Sequence, residues 1–358
     1  MSGTKTSKPA RELRSPDTVR GIAALGVVLF HYGGVVLPSL APHPLQRVLA
    51  YGEYGVEVFF VLSGFVIPYS MWRSGYGPSG LGPFMLKRYL RIAPLAYLSA
   101  LLMIAYHGLA MAILGRPVNA PDWPGTNAAS VIGNLIFLPQ LFGTSWFNFA
   151  FWTLAVEFGF YLSIALLLPV LMHPSMRRLS GFIAIALLGL SIWSDTDFLR
   201  FTGYFALGVS AFLFRRGVMG HAGLALIAAA SMAALLVQHP WPPVLLSAVT
   251  TALILWRPGI GSRFTDWLGA ISYSLYVMHV PVGYFSESAL KRIVHLHESA
   301  WGKVAMLAVY TCIALLVAHV VYQVAEKPLL ERLKRIRYAS ATGSQDAPRA
   351  PRTMHSSA

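Results

Sequence analysis

Arg20 and His31 lie eleven positions apart within one membrane-length apolar stretch, residues 18–37. At about 1.5 Å of helix rise per residue, His31 lies roughly 16 Å deeper than Arg20, near the middle of a hydrocarbon layer about 30 Å thick. A titratable group at that depth needs a polar cavity, a partner or a reaction, so the spacing indicates a functional site. The alternative is a histidine that only forms hydrogen bonds inside a helix bundle.

A basic cluster opens a second candidate site. Arg88 and Arg91 are three positions apart, so they share one face of a helix, and Lys87 lies beside them. Paired guanidiniums offer bidentate donors that suit a phosphate or pyrophosphate, although the cluster also fits the positive collar that marks cytoplasmic loops. Ser63 and Gly64 lie in the preceding apolar stretch, where Gly64 would let a helix or a thin ligand approach the backbone closely.

Two further polar groups lie inside apolar stretches. Glu157, which follows Trp152, must face the bundle interior and find a partner, most simply a histidine or an arginine. It could then orient an imidazole or accept a proton, or form only a structural hydrogen bond to a neighbouring helix. His279 precedes Pro281, which kinks a helix and helps to shape a cavity, and Tyr273 could donate a hydrogen bond to a polar substrate. Taken alone, His279 indicates a bundle contact more than a catalyst.

Composition determines the environment in which these groups act. Of the 358 residues, 56% are hydrophobic and 12% are charged, whereas soluble domains carry about 25% charged residues. The chain is therefore predicted to be an integral membrane protein. Its net charge of +14 comes from basic residues beside apolar segments, which favours membrane lipids or a polyanionic small molecule as partners and not nucleic acid. We expect no metal and no bound cofactor, and Cys312 alone excludes an intramolecular disulfide.

The apolar runs predict an all-α fold, a polytopic integral membrane helix bundle with about ten transmembrane helices and one short re-entrant or interfacial segment at 129–142. The spans are expected near residues 18–37, 54–72, 92–114, 150–172, 180–193, 199–214, 221–237, 242–256, 267–285 and 303–325.

Charge decides against a crossing at 129–142. If this segment does not cross, the basic clusters on the loops and the tail from Lys327 all share one side, which the positive-inside rule makes cytoplasmic. The pair at 291–292 is then the one exception. We therefore predict a multi-pass protein with both termini in the cytoplasm, and polar, disordered ends at residues 1–15 and 339–358 around a transmembrane domain at 16–338.

Separated sequence blocks, taken together and in order, are specific although each is weak alone. They read DTVRGIAALGVVLFHY, FFVLSGFVIPYS with KRYLRIAPLAYL, FWTLAVEFGFYL, and LGAISYSLYVMHVPV followed by VAEKPLLERLKR. This set resembles the ten-helix membrane acyltransferases called acyltransferase family 3, which O-acylate sugars and related acceptors. The resemblance implies that Arg20 and His31 are a functional pair, that Arg88 and Arg91 handle the acyl donor, and that Glu157 matches the family's glutamate.

The chain departs from the family pattern at a few positions. Thr153 and Phe158 stand where many relatives carry a serine and a second acidic residue, and Thr18-Val19 replaces the usual Gly-Leu before Arg20. The second departure leaves Arg20 intact. Some relatives add an SGNH-type hydrolase domain after the last span, and we expect this chain to be the form without it.

The resemblance implies an acyltransferase of the bacterial inner membrane that moves an acyl group, expected to be acetyl, from cytoplasmic acyl-CoA to a hydroxyl of a glycan or glycolipid acceptor such as exopolysaccharide or lipopolysaccharide. His31 and Glu157 are the catalytic candidates. The residues expected to bind donor or substrate are Arg20, Arg88, Arg91, Lys87, Ser63, Gly64, Trp152, Tyr273 and His279. His31 would either deprotonate the acceptor hydroxyl or attack the thioester itself.

Two functions from other classes stay open on the sequence. A secondary transporter would use the buried histidine, glutamate and arginine as a proton relay and an anion site, although no internal repeat is visible. A noncatalytic membrane protein that binds lipid or glycan would not require the spacing of Arg20 and His31.

Overall fold

The computed structural model describes residues 14–36, 44–115, 123–194, 196–256, 259–290 and 299–336. These residues form helices and turns, with no β-strand among them. The all-α membrane bundle predicted from the apolar runs is therefore confirmed. The predicted disordered ends lie almost wholly outside the described residues.

The helices are numbered in chain order. The first seven are α1 Arg14–His31, α2 Pro44–Ala50, α3 Gly55–Arg73, α4 Leu81–Leu114, α5 Ala128–Leu135, α6 Trp152–Met172 and α7 Arg177–Ile192. The other seven are α8 Asp197–Arg200, α9 Thr202–Arg215, α10 His221–Gln238, α11 Trp241–Trp256, α12 Arg263–Leu290, α13 Ala300–Val321 and α14 Lys327–Leu333. Two π-helical segments, Tyr32–Val36 and Tyr322–Glu326, follow α1 and α13 directly.

Each predicted span coincides with a helix, and five helical stretches in the described residues are long and apolar enough to cross a membrane. These stretches are Pro44–Arg73, Pro78–Leu114, Phe149–Met172, His221–Gln238 and Ala300–Leu333. Helices α7 and α11 are apolar but shorter, and α1 and α12 carry charged residues in their first turns. Both helices also carry polar residues that line the cavity described below.

Side-chain contacts fix the relative direction of the helices. Helices α1 and α12 run parallel, because Gly21 contacts Gly269 and His31 contacts His279 ten positions later in each. Helix α4 runs the same way, since Tyr273 donates to the Ile92 carbonyl at 2.6 Å. Helix α3 runs in the opposite direction, because Gly52 contacts Gly26 and Gly55 contacts Ala23. Helices α6 and α9 run parallel to α3, since their later residues contact later residues of α3 and of the chain that follows it.

One end of the bundle, called here the basic end, holds the start of α4 and the ends of α3, α9 and α14. Lys87 Nζ donates to the Ile336 carbonyl at 3.4 Å, which joins the start of α4 to the residues after α14. The guanidinium of Arg216 lies 3.5 Å from the centre of the Trp72 ring, which joins the ends of α9 and α3. Basic groups that are far apart in sequence therefore lie at one end of the bundle.

Helix α5 does not cross the bundle. Its eight residues span about 12 Å, which is too short for a hydrocarbon layer of about 30 Å. The Leu135 carbonyl at its end accepts a hydrogen bond of 2.5 Å from Tyr97, near the middle of α4. Asn134 donates to the carbonyls of Ser130 and Ser145 and closes the turn. The segment thus turns back without crossing, which agrees with the short re-entrant or interfacial segment predicted at 129–142.

Glycine contacts hold the helices closest where the candidate site forms. A Cβ atom built on Gly21 would lie 2.6 Å from the Gly269 backbone nitrogen, so α1 and α12 touch through their backbones. Gly64 and Gly208 bring α3 and α9 together in the same way, since a Cβ on Gly64 would lie 2.3 Å from the Phe205 carbonyl oxygen. Small residues at such positions are how membrane helices approach closely.

Candidate active site

A polar cavity of about 280 Å³ lies between α1, α3, α4, α6, α12 and the second π-helical segment. Its wall combines guanidiniums, carboxylates and hydroxyls within an otherwise apolar bundle. The polar members of the wall are Asp17, Arg20, Ser63, Arg88, Arg91, Thr153, Glu157, Tyr161, Ser272, Tyr273, Tyr276, Tyr322 and Glu326. Six predicted site residues on five helices, the three arginines with Ser63, Glu157 and Tyr273, are therefore neighbours around one cavity.

Arg20 lies where α1 passes α12. Its guanidinium donates to the Gly269 carbonyl at 3.2 Å and forms an ion pair of 3.1 Å with Asp17, one turn earlier on α1. The Nε atom of Arg20 is buried and has no hydrogen-bond partner among the described residues. Arg20 can therefore still donate to a ligand in the cavity.

Arg88 and Arg91 both line the cavity from α4, as their spacing predicted. The Arg88 side chain is only 6% exposed, and its guanidinium lies over the rings of Phe84 and Tyr161, 5.3 and 5.6 Å from their centres. Aromatic faces stabilise a cation in such a setting and restrict its rotation. The two arginines are thus placed to present planar donors to an anion from one wall.

Glu157 has hydroxyl partners. Ser63 donates to one carboxylate oxygen at 2.8 Å, and Tyr161 donates to the other at 2.9 Å. The sequence led us to expect a histidine or arginine partner and, as one option, an imidazole that Glu157 orients. Its hydrogen bonds in the structure go to neither, because α3 brings Ser63 to α6 while His31 lies nearer the start of α6, beside Phe149.

Glu326 is a site residue that the sequence reasoning missed. It ends the second π-helical segment, is 2% exposed, and accepts a hydrogen bond of 2.5 Å from Ser274 on α12. Glu326 and Tyr322 both line the cavity. A π-helical segment often marks a functional site, because the extra residue redirects side chains. The available signal was a glutamate directly before a Lys-Pro pair at the end of the last apolar run.

Tyr276 and Thr153 close the cavity at the end away from the arginines. Their hydroxyls lie 2.7 Å apart, and Tyr276 also donates to the Ala150 carbonyl at 3.2 Å. The Phe59 ring packs edge-on against Tyr276, with ring centres 5.6 Å apart. Together these side chains form a layer, called here the Tyr276 layer, between the part of the cavity that the arginines line and His279.

His31 and His279 lie beyond that layer and touch each other. His31 Nδ1 is 3.2 Å from His279 Nε2 and 2.9 Å from the Val27 carbonyl oxygen. The ring centres of Tyr276 and His279 are 5.8 Å apart. His31 is the last residue of α1, and the first π-helical segment begins at the next residue. The two intramembrane histidines that the sequence singled out separately therefore form one pair.

Comparison with known proteins identifies the class of enzyme. Residues 13–323, nearly the whole chain, match the acyltransferase family 3 model, which is described as an acyltransferase domain. The chain belongs to this family. A second match, to Protein 2 in picA locus of Rhizobium radiobacter, is 33% identical over 132 residues, which cover 35% of this chain and 64% of that protein. No solved structure matches the chain.

The chain thus belongs to a family whose model describes an acyltransferase domain, which favours an acyltransferase over the transporter and the noncatalytic binding protein considered from the sequence. The polar cavity also differs from the larger space nearby. A groove of about 400 Å³ between α6, α7, α9 and α10 has a lining without ionisable side chains.

Four residues predicted to bind donor or substrate do not line the polar cavity: His279, which pairs with His31, and three others. Gly64 packs against α9, and Trp152 packs against the rings of Phe60 and Phe201. Lys87 reaches the chain after α14. Gly64 and Trp152 therefore contribute to helix packing. They lie on other faces of α3 and α6 than Ser63 and Glu157, whose faces line the cavity.

Proposed function

We propose that the protein transfers an acyl group, most simply acetyl, from cytoplasmic acyl-CoA to a hydroxyl of a carbohydrate or glycan acceptor, with His31 as the catalytic residue. One observation carries the proposal. The cavity holds three arginines near the basic end and Tyr276 at the other, and the Tyr276 ring centre lies 5.8 Å from that of His279, the partner of His31. This order of groups suits a long donor that is anionic at one end and reactive at the other.

The arginines fit the phosphates of CoA. Arg20, Arg88 and Arg91 approach the cavity from two helices, and guanidiniums bind phosphate oxygens through paired donors. A volume of about 280 Å³ accommodates the slender pantetheine arm more readily than the bulky nucleotide, which we place at the mouth of the cavity. Along α1, the distance from Arg20 to His31 is about 16 Å. The arm spans that depth.

The thioester must pass the layer formed by Tyr276 and Thr153 to meet His31. The Tyr276 hydroxyl contacts Thr153 at 2.7 Å and the Ala150 carbonyl at 3.2 Å, so a rotation of the Tyr276 side chain that breaks both contacts would open the layer without moving a helix. The adjoining rings of Phe149 and Phe30 lie 5.1 and 4.9 Å from the His31 ring, centre to centre. The limited space beside them favours a small acyl group such as acetyl.

Two chemical routes use His31. As a base, its imidazole takes the proton from the acceptor hydroxyl while the oxygen attacks the thioester carbonyl, and the departing CoA thiolate then recovers that proton. As a nucleophile, the imidazole attacks the carbonyl and expels CoA as a thiolate, which takes the proton of the acyl-imidazolium. The acceptor oxygen then displaces the acyl group from the ring, and the proton of its hydroxyl returns to the imidazole. Both routes yield the same ester and the same free thiol.

The acceptor approaches from the end of the bundle opposite the arginines. His31 lies on that side of the Tyr276 layer, so an acceptor hydroxyl need not enter the donor cavity. With the basic end in the cytoplasm, this arrangement fits a glycan or glycolipid presented at the outer face of a bacterial inner membrane. Donor and acceptor would then meet at His31 from opposite sides.

Release of free CoA by the purified protein tests the proposal. With acetyl-CoA and a surrogate sugar acceptor, the wild type should release thiol in an acceptor-dependent manner, and His31→Ala should abolish this release while it still binds CoA. His319→Leu is the matched control, since His319 is another histidine of the bundle and accepts a hydrogen bond of 3.1 Å from Trp267, away from the cavity.

Each outcome separates the parts of the proposal. Near-normal turnover in His31→Ala would remove His31 from the mechanism. Loss of CoA binding in that variant would make His31 a donor-site residue. A series of acyl-CoA donors with lengthening chains should show the highest kcat/KM with acetyl, and a preference for long chains would overturn the assignment of the acyl group.

A further inference from the structure

We infer that His279 is a positioning residue that holds His31 with the proton on Nδ1 and leaves Nε2 as the reactive nitrogen. The inference rests on the proposed role of His31 in acyl transfer and deepens it, because it names the reacting atom and the group that selects it. It follows from three contacts and from the number of protons that two neutral imidazoles can carry.

The first contact fixes the proton of His279. Its Nδ1 atom lies 2.5 Å from the Tyr276 carbonyl oxygen, and a carbonyl oxygen can only accept a hydrogen bond. The proton of His279 therefore sits on Nδ1. His279 is fully buried within the bundle, where a neutral ring is strongly favoured over an uncompensated cation, so its Nε2 carries a lone pair.

The second and third contacts then fix His31. Its Nδ1 atom faces the His279 Nε2 lone pair at 3.2 Å and the Val27 carbonyl oxygen at 2.9 Å. Both neighbours accept hydrogen bonds, so both require a proton on His31 Nδ1. A neutral imidazole has one N–H, and His31 Nε2 is therefore the atom with the free electron pair. That atom is the one able to take a hydroxyl proton or attack a carbonyl.

Contacts of Tyr32 fix the position of the His31 ring relative to the His279 ring. The Tyr32 hydroxyl donates to the His279 carbonyl at 2.7 Å, which ties the residue after His31 to α12. The Tyr32 ring in turn packs on Gly283, where an added Cβ would lie 2.7 Å from a ring carbon. When His31 gains a proton at Nε2, its Nδ1–H still points at the neutral His279 ring, which stabilises the cation that forms.

Two substitutions at His279 separate positioning from packing. In His279→Gln the side-chain amide oxygen can accept the proton of His31 Nδ1 as Nε2 does now, whereas His279→Leu keeps bulk without an acceptor. We expect His279→Leu to lower kcat roughly 10- to 100-fold, the range found for groups that orient an imidazole in metal sites. We expect KM for acetyl-CoA to stay unchanged and His279→Gln to recover most of the loss.

Nitrogen NMR of protein labelled with ¹⁵N-histidine reads the tautomer directly, without turnover. The His31 signals are assigned by their loss in His31→Asn. The wild type and His279→Gln should show His31 protonated at Nδ1. In His279→Leu the Val27 carbonyl is the acceptor that remains for this proton, so the fraction protonated at Nδ1 should fall without vanishing. His319→Leu serves as the control for removing a bundle histidine, and it should change neither the His31 spectrum nor kcat.

Two results would overturn the inference: a wild-type His31 protonated at Nε2, or Gln and Leu variants with the same kcat and the same spectrum. If both His279 variants fail to fold, the wild-type spectrum still tests the contact, because a ¹⁵N–¹⁵N coupling between His31 Nδ1 and His279 Nε2 supports the inference and its absence overturns it. Failure of the proposed function would show differently, as absence of thiol release by the wild type, whatever tautomer the spectrum reports.

Discussion

At the scale of the residue, the charged side chains of the candidate site lie apart from the two histidines. The guanidiniums and carboxylates line the cavity, and the hydroxyls of Tyr276 and Thr153 stand between them and the two histidines. Donor binding and the chemical step are therefore expected to respond to different substitutions. Two predictions follow from this separation.

Replacing Arg88 or Arg91 with Ala should weaken donor binding roughly tenfold or more, since a charge-assisted contact to phosphate contributes about 1.5–3 kcal/mol. Lysine should restore binding only in part, because it keeps the charge and loses the planar pair of donors. Binding of acetyl-CoA is the measurement. Arg216→Ala is the control, since Arg216 lies over Trp72 outside the cavity. Unchanged binding in both cavity variants would make these arginines topology signals only.

Glu157→Gln should lower turnover about tenfold while the protein stays folded. The amide keeps one acceptor oxygen for Ser63 or Tyr161, and the lost charge removes a charge-assisted hydrogen bond of about 1.5 kcal/mol or more. Steady-state thiol release is the measurement. Glu53→Gln removes an exposed carboxylate from the segment Tyr51–Tyr54, outside the cavity lining, and should leave turnover unchanged. Full activity in Glu157→Gln would show that the carboxylate charge is dispensable.

At the scale of the element, the packing of α1 against α12 brings His31, the proposed catalytic residue, into contact with His279. Both helices run in the same direction, with Gly21 against Gly269 at one level and His31 against His279 farther along. The π-helical segment after His31 adds a residue to the turn and brings the Tyr32 hydroxyl to the His279 carbonyl. The geometry of the imidazole pair is thus a property of two packed helices.

Gly21→Ala should therefore lower turnover, although Gly21 lies ten positions before His31 on α1. The new Cβ atom would lie 2.6 Å from the Gly269 nitrogen, so α1 must move away from α12, at a cost of about 1–3 kcal/mol in the free energy of unfolding. Turnover and thermal unfolding are the measurements, and both should fall. Gly108→Ala on α4 is the matched control, because an added Cβ there has no neighbour within 4 Å. Equal behaviour of the two variants would contradict a tight α1 and α12 contact.

At the scale of the whole molecule, the basic end gives the acyltransferase its orientation. Contacts between the start of α4, the ends of α3 and α9, and the residues after α14 gather their basic side chains at one end of the bundle. By the positive-inside rule and the attraction of anionic headgroups, we predict that this end faces the cytoplasm. The donor cavity has its arginines toward the same end, so orientation and donor access are linked.

Reporter fusions test this orientation. A reporter active only in the periplasm should be inactive when fused to the C-terminus and active when inserted at residues 291–298, between α12 and α13. A cytoplasmic reporter should give the opposite pattern. Periplasmic activity of the C-terminal fusion would reverse the orientation and with it the proposed route of acyl-CoA.

Much of the architecture was predictable because the signals are local. Apolar runs long enough for a membrane predict helices wherever they occur, since each backbone group in lipid must be satisfied within its own segment. The short piece at 129–142 was recognisable by its length, its polar Asn134 and its effect on charge balance. The spacing of Arg88 and Arg91 predicted a shared helix face, and both line the cavity.

Only the tertiary structure decided the partners. His31 and His279 are 248 positions apart, and Ser63 and Glu157 are 94 apart. Periodicity shows that a helix has a polar face without showing which helix that face meets. Glu157 was therefore expected to pair with a histidine or an arginine, whereas its carboxylate accepts hydrogen bonds from two hydroxyls. Glu326 was overlooked because the sequence around it reads as a helix end. Its burial against Ser274 follows from α13 packing on α12, a contact set by shape complementarity along both helices and by no local signal.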